Sequence, residues 1–309
     1  MHDSDDSGRA ATEAPASMQL DEAFDRVSAL DFEIPNPYVN HGPMACEALT
    51  TLGFESELPE WVEHFEASMH RAIEPVTPAW GHELPWQDLL GDHRLLPEWM
   101  GFFGRAIDDD GWPDVVGTWV PRLMPGLVSA LFHGVIRTSH AVRAIEVDDT
   151  RSRRAELARA LGNWAVWFGP GQPPEENSVT SDAAGPIVEA AARGASFYVS
   201  QPSIFALHGV TGAMAVQLLS GHVEPDHAVA ALAQLEAEHR ALYRDVTPAV
   251  VGDTVGEWDS QWIDDAVSSF DPHQVKLVEA CRRGLDLTGD PCFAAAARVV
   301  TGTPSRDDN

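Results

Sequence analysis

Along nearly the whole chain, apolar residues recur every three or four positions, the spacing that gathers them on one face of a helix. Asp21 to Leu30 reads as a short amphipathic helix, and Pro35-Asn36-Pro37 marks a turn. Pro43 to Leu52 is the next helix, closed by Gly53, the residue best suited to a left-handed stop. Pro59 to Ile73 carries Trp61, Phe65 and Met69 on one stripe. Trp80 to His93 is rich in Gly, Pro and Trp and reads as loop with short turns. Helices follow over Pro97 to Asp109 and from Asp114 to Val120. Pro125 to Glu146 is the longest periodic stretch, and Arg151 to Phe168 comes after it. Later helices are expected over Pro186 to Phe197, Pro202 to Ser220, Pro225 to Tyr243, Trp258 to Ser269 and His273 to Leu285. The polar, Gly- and Pro-rich run from Gly169 to Gly185 is the clearest long loop and a candidate lid. Strand-like alternation is confined to Val246 to Val255, and Pro248 weakens it. The pattern therefore predicts an all-α chain: a single helical domain of roughly a dozen helices over residues 19–302, between disordered acidic tails at 1–18 and 303–309.

With 44% hydrophobic and 22% charged residues among 309, the chain has material for a substantial core. A formal net charge of −28 repels nucleic acid and anionic membranes. No apolar run reaches the ~18 residues of a membrane span, and no secretory signal is visible. Cys46, Cys281 and Cys292 form no spaced framework and suit buried thiols in a reducing compartment, so the expected location is the cytoplasm. Composition does not decide the oligomeric state.

Of the 20 Lys and Arg residues, nineteen are arginine; the one lysine is Lys276. An Arg-rich composition follows from codon usage alone, yet lysine can do what arginine cannot. Buried, it can lose its proton and act as a base, a nucleophile or, after reaction with carbon dioxide, an anionic carbamate ligand. The 13 histidines divide by context. His64, His70, His82, His93, His222, His227 and His239 have polar neighbours and read as surface residues. His41, His133, His140, His208 and His273 lie in apolar or Gly-bearing segments, and His273 precedes Lys276 by three residues. His41 stands at a helix start, where the positive end of the helix keeps an imidazole neutral, as a metal ligand must be. His133 and His140 are separated by i+7, ~10.5 Å along a helix, too far for one ion unless the helix is distorted or one of them is only an outer partner.

Four segments, Asn40-His41-Gly42-Pro43-Met44, Phe132-His133-Gly134-Val135-Ile136-Arg137, Leu207-His208-Gly209-Val210-Thr211-Gly212 and His273-Gln274-Val275-Lys276-Leu277-Val278-Glu279-Ala280, together resemble the questin oxidase-like family. The resemblance implies a mainly helical enzyme acting on polycyclic aromatic polyketides, by Baeyer–Villiger-type oxidation or oxidative ring cleavage of an anthraquinone. It also implies a non-haem iron site with four histidines and a carboxylated lysine. Carried over, these are His41, His133, His140 and His208 with Lys276, and His273 as substitute ligand or outer partner. His133 and Lys276 would then be the residues closest to the chemistry.

Fe(II) suits such a donor set, as do other divalent ions, with dioxygen as co-substrate. Whether NADPH takes part stays open; no Gly-x-Gly-x-x-Gly follows a strand. Trp119, Phe132, Trp164, Phe205 and Trp262 are candidate walls for a flat apolar substrate, and Arg137 a candidate anchor for a phenolate or carboxylate. Two other functions fit the same residues: a metal-free or NADPH-dependent oxidase using histidine acid–base chemistry, and a helical protein that binds and sequesters an aromatic metabolite.

Overall fold

The computed structural model describes residues 19–30, 39–68, 73–78, 85–174, 183–252 and 258–302. The expected tails at 1–18 and 303–309, the Pro35–Pro37 turn, His70 and His82 lie outside them. Among the described residues there are thirteen α-helices and no strand. They are α1 (Leu20–Val27), α2 (Gly42–Leu52), α3 (Leu58–Ser68), α4 (Leu96–Asp110), α5 (Trp112–Leu123), α6 (His133–Val147) and α7 (Arg151–Val166). The second half adds α8 (Ala184–Ser200), α9 (Ile204–Ser220), α10 (Pro225–Leu242), α11 (Gln261–Ser268), α12 (Pro272–Thr288) and α13 (Pro291–Thr301).

Four of these helices form the inner group. α6 packs on α2 and α9, and α12 packs on the same two. Composition explains why they are central: α9 buries residues on every side, from Ala206 through Val216, and α6 is buried continuously from His133 to Val142. α9, apolar nearly all round, has no face to give to water, whereas α6 carries buried polar side chains as well. The remaining helices cover this group, with α8 and α10 on α9, α7 on α6 and α13 on α12.

Local chemistry sets the helix starts that matter. Pro43 fills the first turn of α2, and Gly53 closes it at φ +85°. Asn40 fixes the approach: its side-chain oxygen accepts from Gly42 N, while its amide donates to Val27 O and Leu30 O at the end of α1. Asp271 caps α12 by accepting from His273 N, ahead of Pro272.

Three expectations need correction. Periodicity predicts helix from Pro125, yet α6 begins only at His133. A 3-10 turn at Met124–Gly126 and an irregular turn precede it. Tertiary bonds override the periodicity there: Ser129 Oγ donates to Gly169 O at 2.9 Å and accepts from Gly169 N at 2.8 Å, and Gly171 N donates to Pro125 O. The hydrophobic pattern assigns no element to 291–301, where α13 lies; its Ala-rich run offers no contrast between faces, although Asp290 and Pro291 form a readable start. Residues 246–252 of the proposed strand are irregular, with Ala249 N bonded to Ser196 O; 253–257 lie outside the described residues. The described part of the long loop is tied down, since Gln172 N donates to Glu238 Oε1 at 2.6 Å and Gln234 Nε2 to Gln172 O at 2.8 Å. Residues 175–182 of it lie outside those described.

Candidate metal centre

Each inner helix delivers one histidine to a common point. His41 occupies the N-cap of α2, His133 opens α6, His208 lies in the second turn of α9, and His273 in the first turn of α12. His133 is the hub: its Nε2 is 2.9 Å from His41 Nε2 and 3.0 Å from His208 Nε2. His41, His133 and His273 each place a ring nitrogen within 4.8 Å of the others. The His273 ring is 4.5 Å from that of His41 and 5.2 Å from that of His208, centre to centre. Lys276, one turn on from His273, is 1% exposed.

The hydrogen bonds on the other side of each ring decide what these nitrogens are. His133 Nδ1 is 2.5 Å from Ala130 O, and His208 Nδ1 is 2.7 Å from Ile204 O. A carbonyl can only accept, so both Nδ1 atoms carry the proton and both Nε2 atoms are lone pairs. His273 Nδ1 is likewise held by Asp271 Oδ1 at 3.2 Å. Two lone pairs facing each other at 3.0 Å repel unless a cation lies between them. The spacing suits one: ligands ~2.0–2.1 Å from an ion and at right angles to each other stand ~2.9 Å apart. Nδ1 bonded to a carbonyl or carboxylate is also the usual way a ligating imidazole is oriented.

Electrostatics favour the neutral rings. Burial first, and then the charge of Lys276, hold His41 and His133 well below the ordinary imidazole pKa of 6.5. His208 is lowered by burial and then by the neighbouring imidazoles and Lys276. His273 is lowered by burial, against the opposing pull of Asp271.

His140, also expected as a ligand, shares no hydrogen bond or ring contact with these four histidines. Its Nδ1 is 2.5 Å from Glu47 Oε2, in a separate ionic layer. There Glu47 accepts Arg143 Nε at 2.7 Å and Nη2 at 2.6 Å, and Thr51 Oγ1 at 2.9 Å. Arg143 also donates to Glu279, which accepts from Arg283, and Arg283 reaches Met214 O and Gln217 Oε1. The layer therefore joins α2, α6, α9 and α12, the helices that carry the histidine cluster. Burial disfavours the Glu47 carboxylate, but Arg143 and His140 outweigh it and hold its pKa well below the carboxylate range. Glu279 is lowered in the same way by Arg143 and Arg283.

The substrate residues expected from sequence are also placed differently. Arg137 spends its fork on Glu156, at 2.7 and 2.9 Å, with Nη2 on Ser28 O as well, so it is a buried tie and no anchor. Trp119 packs among Trp86, Trp99, Phe102 and Phe103 under Arg122. Phe205 points outward, 57% exposed. Phe132 is buried against Gly212 of α9, where a Cβ would meet its Cδ1 at 2.6 Å, and Trp164 is buried against Gly134. Trp262 is half-buried and packs edge-on against Trp258. His239, read as a surface residue, is buried with Nε2 on Gly209 O at 3.0 Å. Cys46 and Cys281 are buried free thiols, and Cys292 is half-buried. Sequence reasoning missed Glu47, Glu279 and Asp271; only Asp271, in an Asp-Pro-His start, carried a local signal.

Residues 38–166 match the profile of the questin oxidase-like family, which supports the family suggested by the four segments and, with it, an oxidoreductase. The match spans less than half of the chain. It includes His41, His133 and His140 and ends before His208, His273 and Lys276. No curated protein matches the chain. Among the described residues no helix is long and apolar enough to cross a membrane.

Proposed function

We propose that this chain is a non-haem metal-dependent oxygenase, with Fe(II) at the histidine cluster, acting on a polycyclic aromatic polyketide such as an anthraquinone. The observation that carries the reading is the pair of facing Nε2 lone pairs on His133 and His208, which neutral imidazoles tolerate only around a cation. His41, His133, His208 and His273 would hold the ion. Imidazole with one anionic oxygen donor suits Fe(II), and also Mn, Zn or Co. Bound iron would supply one-electron exchange with dioxygen and an electron-rich ring.

The protein's own groups do the rest. Burial keeps His41, His133 and His208 unprotonated at neutral pH and keeps bulk water from the centre. Among the described residues no carboxylate joins the cluster of four rings; Asp271 reaches it through His273 Nδ1. Lys276 answers that shortage if its neutral amine adds carbon dioxide, giving an N-carboxylate and releasing one proton. Substrate approaches at His273, whose side chain is 22% exposed while the other three histidines are buried. Phe270, three residues earlier in the chain, stacks on Trp61 with ring centres 5.2 Å apart.

Metal analysis and anaerobic Fe(II) reconstitution, followed by oxygen uptake with anthraquinones, test the reading. His208→Ala and His273→Ala should lose metal, whereas His140→Ala should fold less stably but retain the site at saturating Fe(II). Full metal content in His208→Ala would sink the proposal.

A further inference from the structure

Ala130, Leu131 and Phe132 precede the hub histidine with φ of +46°, +57° and +65°. L-residues with a Cβ avoid this region, because the Cβ crowds the following carbonyl; such residues visit it singly, at turns. Three in succession amount to a short left-handed turn, held in place from outside. Ser129 is locked to Gly169 through both its donor and its acceptor, and the Phe132 ring is wedged against Gly212 of α9. The consequence is local and specific. The turn brings one carbonyl, Ala130 O, onto both His133 N at 3.3 Å and His133 Nδ1 at 2.5 Å. A regular helix continued back through 130–132 would instead commit that carbonyl to the amide of residue 134, away from the ring.

We propose that the left-handed turn at 130–132 is a positioning device for His133, with Ala130 as the positioning residue. It holds the Ala130 carbonyl on Nδ1, fixes the tautomer and keeps Nε2 aimed between His41 and His208. This rests on the metal reading. Strain of this kind persists where the surrounding structure over-determines it, and here the two flanking locks do so. The turn also explains why α6 begins at His133 and not at Pro125, since a helix through this segment would point the imidazole elsewhere.

Glycine at 130 adopts the left-handed conformation without strain and keeps the same carbonyl, whereas alanine at 129 removes the lock to Gly169. The test is anaerobic titration of metal-free protein with Co(II), read by its visible absorption bands, for wild type, Ser129→Ala and Ala130→Gly, with a melting curve for each. The expected result is Co(II) binding at least ~10-fold weaker in Ser129→Ala, the scale found when a ligand loses its orienting partner. Its band envelope should change and its melting temperature stay within a few degrees of wild type, while Ala130→Gly keeps wild-type affinity and spectrum. Wild-type affinity and spectrum in Ser129→Ala would overturn the inference and leave the metal reading intact. Equal loss in both variants would overturn it too, because glycine at 130 is compatible with the turn. Failure of wild type to bind Co(II) would overturn the metal reading and the inference together.

Discussion

Glu47→Gln is the most informative single change in the ionic layer below the histidines. Glu47 is almost fully buried and accepts four hydrogen bonds: from Arg143 Nε and Thr51 at Oε1, and from Arg143 Nη2 and His140 at Oε2. Glutamine has the same shape, but its amide nitrogen must take one of those two positions. At either one it faces Arg143 and a second donor, so donor meets donor. The substitution also leaves Arg143 buried with Glu279 as its only carboxylate partner. Removing one partner from a buried ion pair costs about 3–5 kcal/mol. At about 2 °C per kcal/mol for a chain of this size, the melting temperature should fall by roughly 6–10 °C. Scanning calorimetry of metal-free protein at pH 7 measures this directly. Replacing Glu47, Arg143, Glu279 and Arg283 together by Leu or Met should recover much of the loss, because no carboxylate or guanidinium of the layer is then left without its partner. A Glu47→Gln variant that melts within ~2 °C of wild type would refute the account, since by the same conversion the layer would then be worth ~1 kcal/mol or less.

Two further outcomes follow from named contacts. Burial lowers the His239 pKa from 6.5 to about 4, so its contribution to stability is complete above 6.5 and is lost as pH falls towards 4. The loss reaches about 1.4 kcal/mol per pH unit, and His239→Gln should flatten that part of a denaturant-measured stability profile by close to one proton. At Gly134 a Cβ would lie 2.4 Å from Trp164 Cγ, with the Trp164 ring fixed by its bond to Gly126 O. Gly134→Ala should therefore cost about 1–3 kcal/mol by overpacking, seen in urea unfolding, and should weaken Co(II) binding because His133 is the adjacent residue.

The sequence made the fold legible wherever a cap and a periodic face coincided. Asp271-Pro272 opens α12, and Pro43 with Gly53 brackets α2, much as their residue types require. It misplaced the start of α6, since the bonds that hold 125–132 run to 169 and 171 and have no local signature. Four of the clustered histidines were singled out by their apolar contexts, but spacing could not rank His140 against His273. The contact that holds His140 Nδ1 comes from Glu47, ninety-three positions away in sequence. Apolar context marks burial, and of the proposed aromatic walls Phe132 and Trp164 are buried against Gly212 and Gly134, while Trp119 borders an open cavity with Phe102, Arg105 and Arg122. Phe205 shows the converse, an aromatic in an apolar helix whose register turns it outward.

The isolation of Lys276, the only ε-amine in the chain, buried and near enough for its charge to act on all four histidines, makes it a built-in reporter. Protein grown on 15N-lysine labelled at the side chain would give one nitrogen resonance, and that resonance would originate beside the imidazoles. Addition of 13C-labelled carbon dioxide would test for a nitrogen–carbon coupling with no competing lysine signal. The same isolation turns amine-acylating reagents into a probe of opening, since the folded chain presents them with no accessible lysine side chain and each opening of the core exposes one.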